Sequence, residues 1–240
     1  PAQPLTEKDK VVFIFPGQGS QWLGMGCDLF NREEVFRRVI EECDAAFRTY
    51  TDWSLVEQLR ASPEASRLEE INVIQPALFA IQVALARLWM SLGIMPDTVV
   101  GHSMGEVAAA HIAGVLSLDD AARVICTRSL LMKRVSGKGG AMAVTELTVE
   151  EAAKVIERYP ALSVAVNNSP KSTVLAGDKA SIDQVITELE SQGLFCKPVK
   201  VDVASHSQQM DPLKEDLPPQ AKTVVEHQYQ GVKRNHDQIR

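Results

Sequence analysis

The chain has 240 residues, of which 45% are hydrophobic and 23% charged, with a formal net charge of −6. That length allows one large globular domain or a domain with a smaller one embedded in it, and the acidic balance gives nucleic acid no basic footprint. The longest apolar run, 74–90, is broken by Gln75, Pro76, Gln82 and Arg87, so no membrane partner is expected, and the polar, charged start is not that of a signal peptide.

In chain order, residues 11–15 form an apolar run closed by Pro16-Gly17, which predicts a fully buried strand. Apolar residues at helical spacing (Phe36, Val39, Ile40, Cys43, Phe47) predict a helix over 33–47. Residues 53–59 predict a short helix, and 74–92 a long buried one that tolerates Pro76 near its start and ends at Gly93. A strand at 98–100 and helices from about Met104 and Leu118 follow, and this alternation implies an α/β core with a mostly parallel sheet. From 141 onward the order changes. Strand 141–146, helix 148–159, strands 162–166 and 173–176 joined by the turn 167–171, helix 180–192 and strand 194–201 spell β-α-β-β-α-β, a ferredoxin-like unit. Thr148 and Glu151 stand at the positions of a capping box.

Between the strand at 98–100 and the next helix stands Gly101-His102-Ser103-Met104-Gly105. A serine bracketed by glycines at this spacing, on a strand-to-helix turn, is the pattern of a nucleophile elbow. The hydroxyl of Ser103 is then held out at the strand end, and the Met104 N–H, at a helix start, is available to a developing oxyanion. The plainer alternative is that Ser103 only caps the helix. The four cysteines (Cys27, Cys43, Cys126, Cys196) lack metal-ligand spacing and read as reduced thiols of a cytoplasmic protein, Cys126 as a packing residue. No metal is expected. His111, His227 and His236 read as surface or satisfied core histidines, and Arg123 and Arg134 as rim residues with solvated heads.

Three motifs together carry a family likeness: Phe13-Ile14-Phe15-Pro16-Gly17-Gln18-Gly19-Ser20-Gln21-Trp22, the elbow extended to Glu106, and Val203-Ala204-Ser205-His206-Ser207. From about Lys10 to Leu217 the chain resembles the acyltransferase domains of modular polyketide synthases. Their relatives include the malonyl-CoA:acyl-carrier-protein transacylases of fatty acid synthesis. The resemblance implies a parallel-sheet, hydrolase-like α/β core over 1–137 and 202–217, with the ferredoxin-like subdomain, 138–201, inserted in it. It makes Ser103 the nucleophile, His206 the acid–base and Gln18, with Met104, the oxyanion donor; His102 is then structural. Arg128 matches the family arginine that pairs with the free carboxylate of a malonyl-type substrate. Val203, Ala204 and Ser205 correspond to the residues that correlate with the extender unit. Small Ser205 leaves room for an α-methyl and favours methylmalonyl over malonyl, although Val203 is not the tyrosine of the methylmalonyl pattern.

The expected reaction uses a CoA thioester as substrate and the phosphopantetheine of an acyl carrier protein as acceptor, with no bound cofactor. The expected partners are that carrier and other domains of a multidomain synthase, a ketosynthase on the N-terminal side. Pro1 in place of Met suggests a piece of a longer polypeptide. Residues 218–240 do not resemble the family and are too polar to pack, so a disordered tail and an incomplete core are expected there. Two other readings stay open: an inactive or docking fragment of such a synthase, and a serine thioesterase or hydrolase with Asp178 as the acid.

Overall fold

The computed structural model describes residues 10–214. The expected tail at 218–240, with His227 and His236, lies outside the described residues. The chain divides into two compact units, one running to Leu130 and the other starting at Leu131. Residues 202–214 fall in the second unit, whereas the sequence reading groups 202–217 with the core.

The first unit contains β1 (Val12–Phe15), α1 (Cys27–Arg32), α2 (Glu34–Phe47), α3 (Leu55–Leu59), α4 (Ile71–Ser91), β2 (Thr98–Gly101), α5 (Gly105–Ile112) and α6 (Leu118–Lys133), the last crossing the division. Its sheet, among the described residues, is the parallel pair β1–β2, with Phe15 opposite Gly101. The second edge of β1 therefore has no strand beside it among the described residues, and Val12 and Ile14 are exposed, Ile14 by 71%. The apolar stripe of α2 is buried as its spacing predicts: Phe36, Val39, Ile40, Cys43 and Phe47 all join the core. Helix α1 was not legible; it is one short turn-and-a-half entered through a left-handed Gly26.

Helix α4 starts three residues earlier than its apolar run suggests. Glu70 is extended and turns the chain, and Ile71 and Val73 already bury their side chains. Pro76 consequently sits inside the helix, where it withholds the N–H that would bond to the Asn72 carbonyl. By length and composition α4 is long and apolar enough to cross a membrane, but 72% of its most apolar stretch is buried within the protein. It is a core helix.

The second unit carries β3 (Gly140–Thr145), α7 (Val149–Ile156), β4 (Leu162–Ser169), β5 (Ser172–Asp178), α8 (Lys179–Ser191), β6 (Cys196–Pro198) and a 3₁₀ helix (Gln208–Lys214). The antiparallel order β4-β5-β3-β6 is that of a ferredoxin-like sheet. Helix α7 has the full capping box of Thr148 and Glu151, and Asp178 caps α8 by accepting from the Ser181 N–H at 2.9 Å. Strand residues alternate between faces. Ala143 and Leu175 meet Val155, Ile182 and Val185 of the helices, while Met142, Val174 and Ala176 pack on the other face against Ala204.

Two expectations change here. The β4–β5 hairpin is tighter than the turn at 167–171, because pairing continues through a register irregularity to Ser169 opposite Ser172. The last strand shrinks from 194–201 to Cys196–Pro198. Pro198 has no N–H to donate, the Leu194 N–H bonds back to Leu189, and the Val201 N–H turns onto the Val199 carbonyl.

The packing at the end of β1 gives a direct test. A methyl group on Gly105 would lie 2.1 Å from the Phe15 carbonyl oxygen, and one on Gly101 would lie 2.3 Å from Glu106 Cα. Gly105→Ala is therefore expected to cost about 3 kcal/mol, a fall in thermal midpoint of roughly 6–12 °C, measured by thermal denaturation.

Candidate active site

The elbow is built on the register of β1 and β2. Where β2 ends, the His102 N–H donates to the Phe15 carbonyl at 2.9 Å, and the Gly105 N–H returns to the His102 carbonyl at 2.9 Å. This closes a turn around Ser103 and forces it to φ 52. Among the described residues, only Ser103 and His206 (φ 60) are non-glycine residues with positive φ. A left-handed backbone costs such residues on the order of 1–2 kcal/mol, and strain of this kind gathers at functional sites. Met104 follows Ser103 as a buried residue at the N-cap of α5. Its N–H takes no backbone acceptor among the described residues.

Gln18, Arg128 and Ser103 are brought together in the first unit by a residue the sequence reading passed over. Arg128 Nη1 donates to Gln75 Oε1, and Gln75 Nε2 donates to Gln18 Oε1 at 3.1 Å. The second guanidinium nitrogen of Arg128 lies 3.5 Å from Ser103 Oγ. Two turns further along the same face of α4, Gln82 donates to the Pro16 carbonyl at 2.7 Å. Both buried glutamines of α4 thus hold the loop that carries Gln18. Their legible signal was a pair of amides two turns apart on a helix that is otherwise apolar.

Burial pushes the Arg128 guanidinium down to about 10, with Glu106 opposing the shift. That is still far above neutrality, so Arg128 is a cation under working conditions. Burial also raises the pKa of Glu106, against the pull of Arg128 and His102. The site is therefore a cation near the serine hydroxyl, a partly buried carboxylate that tempers it, and a run of oriented amides.

In the second unit, Val203 and Ala204 are buried, Ser205 is half-buried and His206 is exposed. The turn at His206 is tied on both sides. Ser207 Oγ donates to the Ala204 carbonyl at 2.7 Å and accepts from the Gln209 N–H at 3.2 Å. The Asp202 carboxylate accepts from Ser136 Oγ and from the Gly137 N–H. Ser207 stood in the sequence only as the last residue of the motif around His206, and Asp202 carried no signal of its own.

The remaining singled-out residues have structural surroundings. His111 is half-buried, with Nδ1 3.0 Å from the Leu116 carbonyl, and burial lowers its pKa. Arg123 pairs with Asp120. Burial drives the Cys126 thiol up to about 12, far from the reactive thiolate range. Asp178, the acid of the hydrolase alternative, is occupied as a helix cap. The strain at Ser103 is itself measurable: Ser103→Gly is expected to be more stable than Ser103→Ala by about 1 kcal/mol, because glycine alone accepts φ 52 without cost. Chemical denaturation of the two variants checks this.

Comparison with known proteins shows what the chain as a whole is similar to. The family model described as "Acyl transferase domain" matches residues 12–235. Erythronolide synthase EryA3 of Saccharopolyspora erythraea is 45% identical over 210 residues, covering 87% of this chain and 6% of that protein. Polyketide synthase GfsB of Streptomyces halstedii is 42% identical over 210 residues, covering 88% of this chain and 4% of its own length. The chain thus spans a small part of these relatives. Among solved structures, a loading acyltransferase from the avermectin modular polyketide synthase superposes with a TM-score of 0.81 at 41% identity, over 85% of this chain and 66% of that one. The acyltransferase domain from module 8 of the salinomycin polyketide synthase gives 0.83 at 38% identity, over 86% and 49%. A strained serine on an elbow, an arginine beside it and this breadth of identity lead to one conclusion: the chain belongs to the acyltransferase domain family of modular polyketide synthases.

Proposed function

We propose that the chain moves a malonyl-type extender group from CoA to the phosphopantetheine thiol of an acyl carrier protein, in polyketide (or fatty acid) biosynthesis, through an ester on Ser103. The observation that carries this reading is the Arg128 guanidinium 3.5 Å from Ser103 Oγ. A fixed cation beside a nucleophile is costly to leave unpaired once water is excluded, and a substrate with its own carboxylate supplies the partner.

The chemistry runs in two mirrored halves. As Ser103 Oγ attacks the thioester carbon, His206 takes the hydroxyl proton. The oxygen of the tetrahedral intermediate is held by the Met104 N–H and by Gln18. Collapse breaks the C–S bond, and the departing CoA sulfur recovers the proton from His206. The carrier's thiol then gives its proton to His206, attacks the Ser103 ester, and the serine oxygen leaves with that proton. No redox step and no bound cofactor enters this reading. The carrier and the neighbouring synthase domains, a ketosynthase on the N-terminal side, are its partners, and the cytoplasm is its compartment. Ser205, half-buried next to His206, leaves space for an α-methyl and favours methylmalonyl.

Incubation with labelled malonyl-CoA and methylmalonyl-CoA tests the reading. A stable acyl-protein, absent in Ser103→Ala, is expected. Rapid release of free acid would mark a thioesterase instead, and no label on Ser103 would mark an inactive or docking fragment. Arg128→Ala is expected to lose on the order of 2–5 kcal/mol of binding for dicarboxylic esters, at least about thirtyfold in kcat/KM, and acetyl-CoA, which loses only the fixed direction of the Gln18 amide, is expected to lose clearly less. Equal losses for both kinds of ester would make Arg128 structural. Ser205→Phe is expected to turn the preference toward malonyl by about tenfold, since one methyl is worth about 1–3 kcal/mol; competition between the two esters reads the ratio.

A further inference from the structure

We propose that Gln75 is the positioning residue of this site, setting through one side-chain amide both the direction of the Gln18 amide and the seat of the Arg128 guanidinium. The inference rests on the acyl-transfer reading above and deepens it.

The logic is one of donors and acceptors. A guanidinium only donates, so the Gln75 group facing Arg128 has to be its carbonyl oxygen. The Gln75 NH₂ is then the group that faces Gln18, and Gln18 has to answer with its own oxygen, at 3.1 Å. Gln18 is left with its NH₂ for another acceptor, which is the group an oxyanion needs. An amide free to turn would offer an oxygen or a nitrogen about equally. The permanent charge on Arg128 removes that choice two residues away. Gln75 is itself fixed, because it is buried to 3% exposure on the core helix α4, directly before Pro76. Its neighbour on the same face, Gln82, holds the Pro16 carbonyl and with it the root of the Gln18 loop. Substrate carboxylate binding at Arg128 and oxyanion binding at Gln18 thus share one side chain.

Replacement separates the two duties. In Gln75→Leu both are lost. In Gln75→Glu the carboxylate keeps Arg128 but has no N–H for Gln18, whose NH₂ then turns toward the new charge. The experiment measures single-turnover acylation of Ser103 by malonyl-CoA and by acetyl-CoA. It compares the full 240-residue wild type with Gln75→Leu, Gln75→Glu, Gln18→Ala and the Gln18→Ala/Gln75→Leu double variant, with thermal midpoints alongside. Gln75→Leu is expected to acylate about 10- to 100-fold more slowly with either ester, short of the loss of a whole oxyanion donor, and to raise KM for malonyl-CoA only. Gln75→Glu is expected to show the same rate loss. The double variant should lose no more rate than Gln18→Ala alone, because Gln75 acts through Gln18.

Wild-type rates in Gln75→Leu, or rate losses that simply add in the double variant, would overturn the proposal. If the wild type takes no label on Ser103, the acyl-transfer reading fails, and crystal structures decide the positioning role separately. Gln18 and Arg128 displaced in Gln75→Leu support it, and both unmoved defeat it.

Discussion

The structure turns on the close contact between the end of β1 and the start of α5. No side chain fits between the Phe15 carbonyl and Gly105, and none between Gly101 and the backbone of Glu106. That closeness lets the parallel register of β1 and β2 continue as a hydrogen bond from His102 to Phe15. It compresses the turn until Ser103 is left-handed. It also brings the Pro16–Gln18 loop beside the elbow, so that a hypothetical Cβ on Gly17 would touch His102 Nδ1 at 3.0 Å. Loosening this one contact would release the serine, the Pro16–Gln18 loop and the seat of the arginine together.

Around that contact the site is built from amides rather than from paired charges. Arg128 and Glu106 influence one another, but the hydrogen bonds seen at Arg128 run to Gln75 and Ser103. The Gln75 amide orients the guanidinium without adding a charge beside it. In the second unit the turn that carries His206 is tied by the Ser207 hydroxyl, which donates to the Ala204 carbonyl.

Much of this was legible before the structure. The elbow was readable because its glycines, its serine and its flanking strand and helix agree at three levels at once: residue type, spacing and hydropathy. The ferredoxin-like unit was readable because turn residues and the Thr148–Glu151 capping box mark off its strands and helices in the order β-α-β-β-α-β. Arg128 came from family likeness, since an arginine among apolar residues has no signature of its own. The ends of elements were harder. Pro76 hid the true start of α4, and Pro198 cut short a strand whose hydropathy continues to Val201. Gln75 and Gln82 were missed because they break an apolar pattern, and a pattern read for its apolar positions treats such residues as interruptions. Only the partners of Gln75, from the loop after β1 and from α6, show it as a hub, and those partners are distant in sequence.

The left-handed backbone at Ser103 also limits which amino acids the position can carry over evolutionary time. Threonine has the same hydroxyl, yet its branched β-carbon makes φ 52 a far worse conformation for it than for serine. The substitution that looks most conservative by chemistry is thus barred by geometry. Cysteine, unbranched, passes the same filter. The residue at this turn is free to exchange oxygen for sulfur more easily than to gain a methyl group.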